Sequence, residues 1–297
     1  MTRRRQAFLE FVDRKTREAE QAAIPHLRTN VDHSSRWVSQ TIGNGWSRQH
    51  YDGGFHLLDV PPDVPAVSLV FVQSRDGNTV TPNPEQLGGG AADTHLIYEG
   101  LTRVAADAVL AGAVTAAGAH AFFSVWHPEM VALRRDRGLP RHPIQIVISD
   151  TGRVNLDALL FNVPEVPVIL IAGSGCRNQC ETAIADRPWI TVLPLASSGL
   201  RDVFARLRRE YRVSRISAIG GPRTASSLVD AGLVQDLHLT TAAQPGGKPG
   251  TPWYVGPTRP QWETLVQKRD VSNPPVLFEH LVIASRTSHQ GRPYQAT

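Results

Sequence analysis

Cysteine is scarce in this sequence: the 297 residues include only Cys176 and Cys180. Two thiols cannot form a disulfide framework for so long a chain, so we expect a reducing, cytoplasmic location. The surrounding stretch, GSGCRNQCETA, adds no convincing metal ligand, and the eleven histidines are scattered along the chain. We therefore predict no metal site and interpret the thiols as structural or incidental. Histidines such as His95, His120, His127 and His238 are interpreted as structural.

Long apolar runs are also missing, which excludes a membrane-spanning helix. The N-terminal stretch QAFLEFVDRKTREAE is charged throughout and has no signal-peptide core. Its spacing predicts an amphipathic helix with Phe8, Phe11 and Val12 on one side.

No dense patch of one charge sign supports nucleic-acid binding. The net charge is only +4, and the single basic run, Arg3 to Arg5, lies at the extreme N-terminus. Elsewhere arginines alternate with acidic residues, as in RLRREYR, which is typical of a solvated helix face. No pattern of interleaved aromatic and basic residues accompanies them, so we predict no nucleic-acid partner.

The sequence contains no Walker A loop, no H-E-x-x-H, no G-x-S-x-G and no paired C-x-x-C. The stretch AGSGCRN resembles the start of a dinucleotide-binding fingerprint. However, Asn178 occupies the position of the third glycine, and no strand with an acidic end follows. We therefore do not interpret this stretch as a dinucleotide fingerprint.

Strand-like and helix-like patterns alternate from residue 64 onward. The predicted strands are AVSLVFV, DAVLAGAV, PIQIVIS, VPVILIAG, SRISAIGG, QDLHLTTAA and VLFEHLVIAS, with helical spacing in ADTHLIYEGLTRVA, GLRDVFARLRREY and PRTASSLVDAGL. This alternation predicts an α/β fold with a sheet that is at least partly parallel. Before it, DVPPDVP forms a stiff junction because proline fixes the backbone. We predict an N-terminal helical and irregular arm over 1–63, a main domain over 64–285 and a flexible tail over 286–297.

Several predicted strands end in small polar residues, which suits a ligand with phosphates. These ends are Ser74-Arg75-Asp76-Gly77, Thr115, Ser149-Asp150-Thr151-Gly152, Gly173-Ser174-Gly175 and Gly220-Gly221-Pro222. The last enters a helix at once, and a helix N-terminus is an anion site. A tight strand–helix turn that needs glycine for its φ angle explains it equally well.

Three ordered motifs resemble the reductase domain of the riboflavin-biosynthesis pathway, within the dihydrofolate-reductase-like superfamily. That family typically shows S-L-D-G, then L-R-x-x-x-D-A-[IV]-L-x-G-x-x-T, then E-G-G and G-L-V-D-E-L. This chain has SRDG, LTRVAADAVLAGAVT and AIGGPRTASSLVDAGLVQDLHL, and the resemblance covers about residues 64–285. It implies a three-layer fold with a central mixed, mostly parallel sheet and helices on both faces. It also implies a homodimer with NADPH across the strand ends.

The resemblance also implies the site residues. Asp76 is the candidate catalytic acid, although it could merely hold its turn, and Arg103 and Ile219 are at substrate positions. Arg103 corresponds to an arginine that meets an anionic group; the alternative is a surface arginine paired with Glu99. The implied cofactor contacts are Val72, Ser74, Thr115, Ser149, Asp150, Gly220, Gly221, Pro222, Arg223, Thr224, Ala225, Ser226 and Ser227. Asp150 would favour NADH over NADPH if it faced the ribose.

Three family residues of the substrate side are replaced: a glutamate by Ile219, an acid by Ala119 and a lysine by Val70. We therefore expect a divergent NADPH-dependent reductase that transfers a hydride to a C=N or C=C bond of a small heterocycle that can be anionic. It would be related to 5-amino-6-(5-phosphoribosylamino)uracil reductase, with the proton supplied by water or substrate. The alternative is a catalytically inactive paralogue that still binds the cofactor, or a small-molecule binding protein.

Overall fold

A ten-stranded sheet organises the computed structural model, which describes residues 3–81, 87–195 and 199–284. The strands are β1 (Arg28–Asp32), β2 (Gln40–Ile42), β3 (Phe55–Leu57), β4 (Ala66–Gln73), β5 (Ala108–Gly112), β6 (Ile144–Ser149), β7 (Val168–Gly173), β8 (Ile190–Leu195), β9 (Arg215–Ala218), β10 (Val234–Thr241), β11 (Trp262–Arg269) and β12 (Leu277–Ile283). Strands β2 and β3 form a separate two-stranded sheet.

The α-helices are α1 (Arg3–Gln21), α2 (Gly45–Tyr51), α3 (Thr102–Val104), α4 (Pro128–Asp136), α5 (Arg177–Ala183), α6 (Leu200–Glu210) and α7 (Pro222–Asp230). A π-helix, Ala92–Leu101, runs directly into α3. Long π-helical segments are rare and are frequently found at functional sites.

The order of the main sheet is β1-β11-β12-β10-β4-β9-β5-β6-β7-β8. From β10 to β8 all neighbours are parallel, whereas β12, β11 and β1 add antiparallel strands at one edge. The predicted mixed, mostly parallel sheet is therefore confirmed. A strand covered on both faces must be apolar throughout, which is why DAVLAGAV and VPVILIAG show no polar alternation.

Helices cover both faces of this sheet. Phe204 and Leu207 of α6 and Leu228 of α7 are completely buried in the hydrophobic cluster on one face. On the other face, Phe8 and Phe11 of α1 pack into a second cluster. The layered arrangement places the carboxyl ends of seven parallel strands along one open edge, where α/β proteins bind ligands.

The N-terminal segment adds to the main sheet. Two aromatic rings of helix α1 make edge-to-face contacts with the main domain. The ring centroids of Phe8 and Phe122 are 4.9 Å apart, and those of Phe11 and Trp126 are 5.6 Å apart. Its apolar side is the predicted one, with Val12 partly buried next to Phe8 and Phe11. Strand β1 then pairs with β11 and becomes the edge of the sheet.

All seven predicted strands are present, but β1, β8 and β11 of the main sheet and the β2–β3 pair were not predicted. The predicted tail, 286–297, lies outside the described residues. Among the described helices, none combines the length and the apolar character that crossing a membrane requires.

Candidate functional site

The chain topology creates a crevice at the carboxyl edge of the sheet. Strand β9 is inserted between β4 and β5, so the connections after these strands diverge there. In open α/β sheets such a switch point is where ligands bind. Helix α7 starts at this point, because β9 ends at Ala218 and α7 begins at Pro222.

Two glycines let the first turn of α7 approach the strand ends. A Cβ on Gly112, at the end of β5, would lie 2.7 Å from Thr224 Oγ1. A Cβ on Gly220 would lie 2.6 Å from Thr224 Cβ. The Thr224 side chain thus fills the space that both glycines leave. It packs the helix N-terminus against β5 and β9, and its predicted contact with a cofactor stays a prediction.

Gly221 differs from these two glycines. It is the N-cap of α7, with φ −69°, and no side chain caps the helix. A Cβ built on it would meet no atom within 4 Å. The alternative explanation, that this turn needs glycine for its φ angle, is therefore wrong for Gly221. An open glycine in front of an uncapped helix N-terminus is the geometry that admits a phosphate.

The predicted cofactor contacts along α7 differ in how free their polar groups are. The amide of Ala225 donates to Gly221 O at 3.1 Å, so the amides free of intrahelical bonds come before it. Ser226 Oγ accepts a bond from Val255 N, and Ser227 Oγ donates to Arg223 O. Contacts of Ala225, Ser226 and Ser227 with a cofactor stay predictions, and the free amides belong to the first turn. That turn is the uncapped Gly221, Pro222 at N1, Arg223 and the backbone of Thr224, with Gly220 buried below it.

The turn after β4 is closed on itself. Ser74 is completely buried, and its hydroxyl lies 2.5 Å from Asp76 Oδ1 and 2.9 Å from Gly246 O. Asp76 also accepts bonds from Asn78 Nδ2 and Gly246 N. The Ser74 hydroxyl bond is the main cause that lowers the pKa of Asp76. We therefore assign Ser74 to the turn instead of the cofactor, and Asp76 to holding the turn instead of donating a proton.

The remaining predicted cofactor residues lie at strand ends. Val72 is buried on β4 opposite Thr240, and Thr115 starts a partly exposed 3-10 turn just after β5. Ser149 ends β6, and its hydroxyl donates to Arg153 O at 3.1 Å, while Asp150 is exposed. These positions line the carboxyl edge, and their contacts with a cofactor stay predictions.

Arg103 lies in the interior beneath α1. Its side chain is buried, and Nη1 donates to Ser124 O at 2.9 Å. The guanidinium lies over the rings of Tyr98 and Phe123, at 4.8 and 5.8 Å from their centroids. Among the described residues, Nε and Nη2 have no hydrogen-bond partner. Burial lowers the pKa of Arg103, opposed by the nearby Tyr98 and Glu99.

The alternative for Arg103, a surface arginine paired with Glu99, is wrong. The Glu99 carboxylate pairs with His95 at 3.0 Å instead. Arg103 borders a cavity of about 300 Å³ that α1 partly covers with Arg14, Lys15 and Glu18. Arg14 and Lys15 are both paired with Glu18, so the feature of this cavity that suits an anionic group is the pair of unpartnered Arg103 donors.

The sequence analysis missed one acid near the strand ends. Asp93, in the first turn of the π-helix, is buried, and its Oδ1 has no hydrogen-bond partner among the described residues. Burial raises the pKa of Asp93 to about 6, and the hydroxyl of Thr240 opposes this only in part. Thr240 is paired with Val72 near the end of β4. No sequence motif marks Asp93, because its environment depends on the packing of the π-helix on β10.

The model of a protein family described as RibD C-terminal domain matches residues 65–272. The chain belongs to this family. It is a family of reductases, and the matched residues contain the strand ends and α7. No curated protein matches the sequence.

Solved structures share the fold. RibD from Acinetobacter baumannii, form 2, is 17% identical with a TM-score of 0.59, covering 75% of this chain and 58% of that chain. A pyrimidine reductase-like protein from Corynebacterium diphtheriae is 21% identical with a TM-score of 0.59, covering 74% of this chain and 92% of that chain. This chain thus spans less than two thirds of the Acinetobacter protein.

Val70 and Ile219, two of the replaced positions, lie close together in the structure. They follow the last paired residues of the β4–β9 ladder, Leu69 and Ala218, and both are buried in one hydrophobic cluster. At the two positions where the sequence resemblance implies a lysine and a glutamate, this chain therefore has an apolar pair. Ile219 is only 4% exposed, so a substrate could meet little of its side chain. The predicted contact with substrate stays a prediction.

Proposed function

We propose that this chain is an NADPH-dependent reductase of a small anionic heterocycle of the pyrimidine type. The observation that carries the proposal is the open first turn of α7. Gly221 has free space in front of it, and Gly112 and Gly220 bring that turn onto the sheet edge. When bound, NADPH would supply the hydride for reduction of a C=N or C=C bond.

The chain's own residues fit the cofactor at this edge. The uncapped amides of the first turn of α7 bind the pyrophosphate, because they carry the partial positive charge of the helix N-terminus. Thr115, in the 3-10 turn after β5, offers a hydroxyl at the same edge of the sheet. The choice of NADPH over NADH rests on the family resemblance, and an inward-facing Asp150 would reverse it. A homodimer and a cytoplasmic location likewise stay predictions.

Arg103 supports an anionic substrate. Its Nε and Nη2 are buried and have no partner in the described part of the chain, and a guanidinium fork matches a phosphate or a carboxylate. The apolar pair Val70 and Ile219 supports a substrate that differs from the phosphoribosylamino-uracil of the riboflavin pathway. A buried lysine and glutamate would donate and accept hydrogen bonds, whereas valine and isoleucine offer only apolar surface.

Asp93 is the best-placed proton donor in the described part of the chain. A carboxyl with a pKa of about 6 is partly protonated near neutral pH, as general acid catalysis requires. It interacts with Thr240, the cross-strand partner of Val72, and this puts it near the predicted cofactor edge. Asp76, exposed and held ionised by its turn, does not meet this requirement.

Cofactor binding is tested with Gly221→Val and a matched control, Gly45→Val, since a Cβ at Gly45 also meets nothing within 4 Å. NADPH should raise the melting temperature of the wild type and the control but not of Gly221→Val. No shift in the wild type with NADPH or NADH at about millimolar concentration would refute the proposal.

Turnover separates the enzyme from an inactive paralogue. Oxidation of NADPH is followed by its absorbance with 5-amino-6-(5-phosphoribosylamino)uracil and related heterocyclic imines. Binding of NADPH without oxidation by any of them would favour the cofactor-binding, inactive alternative.

A further inference from the structure

Three polar side chains meet on the face of the sheet that the π-helix covers, away from the carboxyl ends of the parallel strands. Asp236 and His238 are two residues apart on β10 and therefore point to the same face. His280 on β12 is paired directly with His238. All three are at most 5% exposed.

These side chains converge on one point. His280 Nε2 lies 2.6 Å and His238 Nε2 lies 3.6 Å from the same oxygen, Asp236 Oδ2. One ligand atom from each residue lies within 4.8 Å of the others. The two imidazole rings stack with centroids 4.1 Å apart and an angle of 24° between planes. Two imidazoles that approach one carboxylate oxygen form a ligand set for a divalent transition metal.

Hydrogen bonding alone explains only part of this cluster. The His280–Asp236 distance is that of a hydrogen bond, but 3.6 Å from His238 Nε2 is too long for one. Ligands at about 2.05 Å around a tetrahedral metal would be about 3.3 Å apart. The His238 separation is close to that value already, and His280 would need to withdraw by less than about 1 Å.

A fourth position is available beside two of the three ligands. A cavity of about 20 Å³, bordered by Asp236 and His238, is large enough for one water molecule. The hydroxyl-bearing residues Ser68 and Thr102 border the same cavity. Space for a single small ligand favours four-coordinate Zn²⁺ over six-coordinate Fe²⁺.

We propose that Asp236, His238 and His280, with one water, form a buried zinc site that ties β10 to β12. This revises the sequence-based prediction of no metal site. Strand β11 pairs with β12, and β1 pairs with β11. A metal between β10 and β12 would therefore anchor the antiparallel edge of the sheet to its parallel part. The competing explanation is a metal-free cluster whose negative charge is compensated by Arg215, which borders the same cavity.

The experiment uses the full chain, expressed without a histidine tag, dialysed against a chelator and titrated with Zn²⁺. We expect one tightly held zinc per chain and a higher melting temperature. Substitution of His238→Gln should weaken zinc binding by at least about 100-fold, since even outer-sphere changes cost 10–100-fold. The control, His33→Gln, changes an exposed histidine outside the cluster and should bind zinc as the wild type does.

Cobalt substitution adds a readout that does not depend on stability. Four-coordinate Co²⁺ should give intense visible absorption in the wild type and not in Asp236→Asn. The proposal is overturned if the folded wild type retains no zinc after gel filtration. It is also overturned if His238→Gln and Asp236→Asn bind zinc as tightly as the wild type, since the metal would then sit on surface histidines.

Discussion

Gly112 is the position where a single methyl group should displace the helix that forms the proposed cofactor site. In Gly112→Ala the new Cβ would lie 2.7 Å from Thr224 Oγ1, about 0.7 Å closer than an ordinary contact of 3.4 Å. Thr224 cannot easily turn away, because its Cβ and Cγ2 already face Gly220 at 2.6 and 2.7 Å from the ideal Cβ there. The helix or the strand must therefore move.

The expected loss is about 1–3 kcal/mol in the free energy of unfolding, the usual cost of overpacking a core. The partner substitution isolates the cause. In Thr224→Ala the offending oxygen is gone, and the remaining Cβ lies 3.9 Å from the new methyl, an ordinary contact. In that background Gly112→Ala should be neutral or stabilising by up to about 1 kcal/mol, because alanine restricts the unfolded chain.

Urea unfolding of the four proteins, followed by circular dichroism, measures this cycle. A coupling free energy of at least about 1 kcal/mol is expected between the two positions. Titration with NADPH should show weaker binding in Gly112→Ala and partial recovery in the double variant. Equal destabilisation by Gly112→Ala in both backgrounds would refute the idea that Thr224 is the residue that requires glycine.

Two further predictions concern basic side chains that are removed from solvent, Arg103 and His142. Arg103→Met keeps an unbranched apolar stem but removes the hydrogen-bond donors. The KM for a phosphorylated heterocycle should therefore rise at least about tenfold, while the Kd of NADPH is unchanged. If the affinities for the heterocycle and for NADPH fell equally, Arg103 would have a structural role only. Burial, then Arg141 and Arg134, lower the pKa of His142 to about 3, against about 6.5 when unfolded. Between about pH 6.5 and 3 the unfolded chain thus binds one more proton than the folded chain, so the free energy of unfolding should decrease as the pH is lowered. The decrease should be less steep in His142→Gln. Identical slopes for the two proteins in urea unfolding at about pH 7, 6 and 5 would contradict this.

Strands buried on both faces were predictable, whereas edge strands were not. β5 and β7 are continuous apolar runs because both faces are covered by protein. β1 has the sequence RTNVD, with no buried residue, and exists because it pairs with β11. Its partner lies more than 200 residues away in the sequence, so no local pattern could predict strand β1.

The sequence alone determined the alternation of strands and helices, the apolar face of α1 and the glycine turn before α7. These features depend on side-chain periodicity and on backbone freedom, which are local properties. It also contained the ordered motifs from which the reductase family could be identified.

Only the tertiary structure decided which residues are free to act. It enclosed Ser74 and Asp76 in their own turn, buried Arg103 under α1 and raised the pKa of Asp93 to about 6. It also brought His280 onto Asp236 across an antiparallel pair. Burial and hydrogen bonding between distant segments set the availability and the pKa of a group, and neither is encoded in the spacing of neighbouring residues.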